Sequence, residues 1–186
     1  MDDRPQRFEQ IAMPHLDDVY RMARRLAGSQ VEAEDLVQET FLRAYRAFDG
    51  FDLREYGARP WLLKILHNVF YTRAGHEARQ PTLLDDAGFD NLAGELDQPD
   101  CGSLGAGKVD WEQFDEELKD AVDELAAEYR EVLLLWSLEE LSYKEIAEVC
   151  GIPLGTVMSR LYRARQQISN RLAGYARERG LHGMER

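Results

Sequence analysis

The stretch Ser142–Ile168, SYKEIAEVCGIPLGTVMSRLYRARQQI, carries a cap, a turn glycine and an apolar stripe in close succession. Ser142 followed three residues later by Glu145 has the form of a capping box, so a helix begins there. Ala147 is small where two helices would cross closely, Gly151 stands four residues on where a tight turn wants positive φ, and Val157 returns to the core. This spacing reads as a helix-turn-helix. The helix opening near Pro153 carries an apolar stripe of Val157, Leu161, Ala164, Ile168 and Leu172, which leaves Ser159, Arg160, Tyr162, Arg163, Gln166 and Gln167 available on other faces. Residues 154–179 hold six arginines and one acid, Glu178, a local charge of +5 suited to phosphate contact.

Upstream of this motif the chain stays helical in pattern. Phe114, Leu118, Val122 and Leu125 recur at helical spacing, and Tyr129, Val132, Leu133 and Trp136 follow. A second group of helices is expected nearer the N-terminus. Leu16, Val19, Tyr20, Ala23 and Leu26 share a face, with Pro14 expected to kink or restart the helix. Ser29 with Glu32 repeats the capping-box form ahead of a stripe of Val37, Phe41, Ala44, Tyr45 and Phe48. A third helix puts Trp61, Leu62, Ile65, Leu66 and Val69 on one stripe, and Asn68, Tyr71 and Thr72 fall off it.

Between the two helical groups the charge changes abruptly. Residues 1–81 hold 12 Lys/Arg against 13 Asp/Glu, and residues 118–186 hold 10 against 11, whereas residues 82–117 hold Lys108 alone against 11 acids. Nearly all of the formal charge of −12 therefore sits in a middle segment rich in Gly, Asp and Glu with no sustained apolar period. The expected architecture is all-α: two small helical domains, 1–81 and 118–186, joined by a flexible acidic linker, 82–117, with the helix-turn-helix in the second domain. Fully extended, the linker would reach roughly 120 Å.

The remaining composition excludes several classes. With 44% hydrophobic residues each domain can build a core, and no stretch has the eighteen or so apolar residues that a membrane span needs. Cys101 and Cys150 lie far apart, the opening MDDRPQRFEQ has neither a basic nor an apolar leader region, and a cytoplasmic protein is expected. His15, His67, His76 and His182 are scattered, and neither cysteine has a partner at metal-ligand spacing, so no metal site is assigned. No nucleophile elbow, phosphate-binding glycine loop or paired-carboxylate motif is present, so no catalytic residue or cofactor is expected either.

Three segments together resemble the extracytoplasmic-function sigma factors of the sigma-70 family. They are Glu34–Tyr45 (EDLVQETFLRAY), Trp61-Leu62 with Ile65 and Asn68, and Gly155-Thr156-Val157 with Ser159-Arg160-Leu161 and Arg163-Ala164-Arg165. The resemblance covers residues 8–75 and 115–180, in order, and lapses after Arg73, where Ala74–Arg79 replaces the run of basic residues usual in such factors. It implies that 1–81 resembles the domain that holds the polymerase clamp and opens the −10 element, and that 118–186 resembles the domain that docks on the −35 element.

By position, the resemblance assigns Asp35, Leu36, Gln38 and Glu39 to polymerase contact, Asn68, Phe70, Tyr71 and Arg73 to −10 DNA, and Ser159, Arg160, Tyr162 and Arg163 to −35 DNA. The chemistry suits these roles: carboxylates fit a basic partner, aromatic and amide side chains stack on or hydrogen-bond an unpaired base, and arginine binds guanine bidentately. The partners implied are core RNA polymerase and promoter DNA, with an anti-sigma factor as a further candidate and no insertion into membrane. The expected function is promoter-specific initiation without catalysis. A stand-alone helix-turn-helix repressor or activator is the alternative.

Overall fold

The structure, a computed structural model, describes residues 4–51, 57–73 and 115–178. Among the described residues every regular element is a helix. In chain order they are α1 (Arg4–Ala12), a 3-10 turn (Met13–His15), α2 (Leu16–Leu26), α3 (Gln30–Ala47), a second 3-10 turn (Phe48–Gly50), α4 (Ala58–Arg73), α5 (Glu116–Asp123), α6 (Ala127–Ser137), α7 (Tyr143–Cys150) and α8 (Leu154–Glu178). Phe114 and the linker up to residue 114 lie outside the described residues.

Pro14 interrupts the first helical run as expected, since it lacks an N–H to donate, and α1 and α2 are separated by the 3-10 turn that contains it. In α2, Asp17 and Asp18 in the first turn and Arg24 and Arg25 in the last complement the helix dipole. The box ahead of α3 closes only halfway. Ser29 Oγ accepts from the Glu32 amide at 3.3 Å, but the Glu32 carboxylate takes the Gly28 amide, at 3.1 Å, in place of that of Ser29. Val19, Met22, Ala23 and Leu26 of α2 are buried with Leu36, Val37 and Ala44 of α3 and Leu62, Leu66 and Val69 of α4. At one end Phe8 meets Phe41, Tyr45 and Phe48 edge-on, at 6.4, 5.2 and 5.3 Å between centroids, and Trp61 stacks on Phe51 at 4.1 Å.

The box ahead of α7 is complete. The Ser142 amide donates to the Glu145 carboxylate at 2.8 Å and Ser142 Oγ accepts from the Glu145 amide at 3.3 Å. Gly151 ends α7 at φ +65°, Val157 is fully buried, and α8 packs along α5, α6 and α7 with Leu161 and Ala164 inward. The helix-turn-helix read from the sequence is therefore present.

One feature of the packing departs from the single stripe read on α4. The two halves press together, α2 against α6 and α4 against α7, so one cluster of buried side chains runs through both. Leu63 and His67 become buried as well as Leu62 and Leu66, because α7 covers a second face of α4. Polar groups also cross the joint. Glu139, only 1% exposed, lies 3.3 Å from Arg21 and 3.4 Å from Arg59, and Arg21 also reaches Asp18 at 2.6 Å. Burial pushes the Glu139 carboxyl above its ordinary pKa, against the pull of the two arginines. Burial alone would lower Arg21, but Glu139 and Asp18 hold it above its ordinary value.

Candidate functional site

α3 presents an acidic edge. Asp35 and Gln38 are exposed, and Glu39 is partly covered by a 2.6 Å ion pair with Arg43, whose hydrogen bond draws the carboxyl below its usual range, aided by the charges of Arg73 and Arg46. Leu36 is buried, so it supports this edge from the core and does not share the exposure of Asp35 and Gln38. The Asp35 backbone carbonyl accepts from Arg73 at 3.3 Å, which ties the end of α4 to the start of α3. The residues assigned to polymerase and to −10 DNA are thus neighbours.

At the end of α4, Asn68 and Arg73 are exposed and Phe70 is half-buried. Phe70 and Arg73 line a cavity of about 390 Å³ whose other walls are Leu26, Ala27, Gly28, Glu32 and Leu36. Tyr71 is turned toward the second half. Its ring lies 4.6 Å from that of His67, and its hydroxyl is hydrogen-bonded to Glu131 of α6. Burial, and then the Glu131 charge, push that hydroxyl far above the usual phenol range.

On α8 the residues assigned to −35 DNA divide. Tyr162 is 56% exposed, and Arg160 and Arg163 are half-buried, with Arg163 Nη1 donating to the Tyr129 hydroxyl at 3.5 Å. Ser159 is 1% exposed and donates its hydroxyl to the Thr156 carbonyl at 3.1 Å. It is two residues from both Val157 and Leu161 and so stands off their stripe, yet it is itself buried and does not share the exposure of Tyr162. Among the described arginines of α8, two also serve the fold itself: Arg165 lies 4.2 Å over the Trp136 ring and Arg171 pairs with Glu124.

Sequence spacing missed a cluster at the joint. His67 of α4, Glu131 of α6 and Cys150 at the end of α7 bring a ring nitrogen, a carboxylate oxygen and a thiol sulfur within 4.8 Å of one another, and His67 Nδ1 is 2.8 Å from Glu131. Burial, and then Glu131, push the Cys150 thiol well above its ordinary pKa, with Arg160 opposing. These residues are 64 and 19 positions apart, so no local signal could have joined them.

Comparison with known proteins places both halves. Residues 11–80 match the family model described as Sigma-70 region 2, and residues 115–168 match that described as Sigma-70, region 4. The chain is 34% identical to the ECF RNA polymerase sigma factor SigM of Bacillus subtilis over 161 residues, 87% of this chain and 92% of that protein. It is 35% identical over 177 residues to the ECF RNA polymerase sigma factor SigE of Mycolicibacterium smegmatis, 92% of this chain but only 63% of the length of that relative. Among solved structures it resembles the sigma factor RpoE bound to the anti-sigma factor NepR from Bartonella quintana, with a TM-score of 0.64 and 26% identity over 93% of this chain and 98% of that one. It also resembles CnrH in complex with the cytosolic domain of CnrY, with a TM-score of 0.61 and 25% identity over 91% of this chain and 90% of that one. The order of the two regions, the helix-turn-helix and these relatives agree, and the chain belongs to the extracytoplasmic-function sigma factors of the sigma-70 family.

Proposed function

We propose that the chain binds core RNA polymerase and directs promoter-specific initiation in the cytoplasm, with residues 1–81 meeting the polymerase and the −10 element, 118–186 meeting the −35 element, 82–117 tethering the two, and no catalytic chemistry of its own. The observation that carries this reading is α8. It follows a turn at positive φ, buries Val157, Leu161 and Ala164, and leaves Tyr162, Gln166 and Gln167 exposed beside Arg160 and Arg163. Such a helix offers guanidinium groups and a phenol to the edges and phosphates of a major groove.

The first half supplies what a stand-alone repressor has no use for. The exposed Asp35 and Gln38 beside Glu39 form an acidic edge suited to a basic protein surface. Next to it, the cavity lined by Phe70 and Arg73 is large enough to receive one unstacked base, held by the ring face and the guanidinium. Because two similar structures are complexes with NepR and with CnrY, we further propose an anti-sigma factor as a partner of this chain.

Gel filtration of the purified chain with core polymerase, followed by capture on promoter duplex, tests the proposal. Co-elution with core and retention of the complex on duplex bearing both elements are expected. A chain that binds duplex alone as a dimer and never co-elutes with core is instead a stand-alone regulator.

A further inference from the structure

We propose that His67, Glu131 and Cys150 form a site for a thiophilic divalent cation, of which Zn²⁺ is the probe, and that the ion bridges the two halves of the chain. The donors are one imidazole nitrogen, one carboxylate oxygen and one sulfur, the set that zinc and cobalt take in tetrahedral sites, and they come from three different helices. Glu131 and Cys150 are buried among apolar neighbours, so few waters compete for the ion. A hydrogen-bonded His–Glu pair alone would not need the thiol that completes the group.

Metal–ligand bonds of about 2.0–2.3 Å separate tetrahedral donors by more than three ångströms. The 2.8 Å contact between His67 and Glu131 must therefore open slightly while Cys150 closes in, movements within reach of side-chain rotation. On binding, the Cys150 S–H bond breaks, its proton leaves to solvent, and a sulfur–metal bond forms. The proton between His67 Nδ1 and Glu131 is also given up to solvent and one is held on Nε2 instead, so that Nδ1 presents its lone pair to the ion. The thiolate and the Glu131 carboxylate balance the two charges of the ion. Arg160, whose charge reaches Cys150, favours the thiolate. The Tyr71 hydroxyl, already bonded to Glu131, or a water supplies the fourth position.

The consequence is a clamp. His67 belongs to the first half, and Glu131 and Cys150 belong to the second, so a bound ion holds α4 against α6 and α7. Tyr71 and Arg160 stay at the joint with it, unavailable to DNA. This last point rests on the promoter-binding reading above, whereas the site itself does not.

Titration of the reduced full chain with Co²⁺ tests both parts. A sulfur-to-cobalt charge-transfer band and tetrahedral visible bands should appear at one equivalent and bleach on adding Zn²⁺. They should persist in Cys101→Ser, the other thiol of the chain. They should be lost, or the affinity weakened roughly tenfold or more, in Cys150→Ser and in His67→Gln, with Glu131→Gln as a third variant and circular dichroism confirming that each is folded. Equal loss from His67→Gln and Cys150→Ser establishes that the site spans the halves. Absence of the bands, or their survival in both of those variants, overturns the site. With Zn²⁺ saturating, duplex binding by the free chain should weaken and recover with chelator, and His67→Gln should not respond. Unchanged duplex binding overturns the clamp. Intact cobalt bands in a chain that binds no duplex either alone or together with core polymerase uphold the site and count against the promoter reading.

Discussion

Replacing Arg163 by alanine removes the guanidinium that α8 holds beside Tyr162, and the expected cost is about 1–3 kcal/mol at one −35 position if it reads a base. Duplex titration across single-base variants checks this. A uniform loss with a salt slope lower by about one marks a phosphate contact instead. Ser159→Ala is the internal comparison. Its hydroxyl is spent on Thr156, so base preference should not move. Gly151 is held at φ +65° by the turn, with open space where a Cβ would lie, so Gly151→Ala should destabilise the second half by about 1–2 kcal/mol through backbone strain alone. A urea melt that does not shift would show that the turn can relax. At Glu139 burial raises the folded-state pKa above the ordinary 4.5, so the folded chain holds this proton more tightly than the unfolded chain does. The contribution of this group is full below pH 4.5 and is lost as pH rises through the raised folded value. Glu139→Gln cannot titrate. Urea midpoints measured from pH 4.5 upward should therefore move in favour of the variant relative to the wild type as pH rises. A constant gap would contradict the buried, raised carboxyl.

Among the helices, α3 is the most open to test. Asp35 and Glu39 stand four residues apart on one face while the buried Leu36 and Val37 anchor the helix, so reversing both acids to lysine should abolish core-polymerase binding without loss of helix. Circular dichroism beside a polymerase pull-down checks it, and wild-type binding by a folded double variant would exclude this edge. The same helices explain what the sequence could reveal. In α7 and α8 the cap, the turn glycine and the buried stripe are all local, and each agrees with the next, so the motif could be read directly. α3 could be read as a helix, but its cap differs in detail because Glu32 found Gly28 as a closer donor than Ser29. Ser159 could not be placed, since it lies off the Val157–Leu161 stripe and its burial comes from tertiary packing that helical spacing does not show. On α4, the covering of Leu63, His67 and Tyr71 could not be read, because the groups that cover them arrive from α6 and α7, sixty or more positions away.

At the scale of the whole molecule, the continuous core through both halves places Tyr71 against Glu131 and keeps Arg160 close to both Tyr71 and Cys150. Residues proposed for the −10 and −35 elements thus share one joint in the free chain, whereas elements some 25 base pairs apart are separated by roughly 85 Å of duplex. Reading both at once requires the joint to part. Core polymerase can drive that by binding the open form alone, because a partner with differential affinity shifts the equilibrium by that difference. Once both halves are seated, the tether supplies effective concentration, so each can bind its element weakly. Transcription from purified components tests whether this chain gives core polymerase its promoter specificity. Core polymerase with this chain should yield a discrete transcript from a promoter of its own, one that core alone does not make, and the transcript should vanish with the Asp35→Lys/Glu39→Lys chain. A chain that leaves core polymerase as unspecific as before on every promoter offered, or one whose double variant initiates as well as the wild type, would contradict the account.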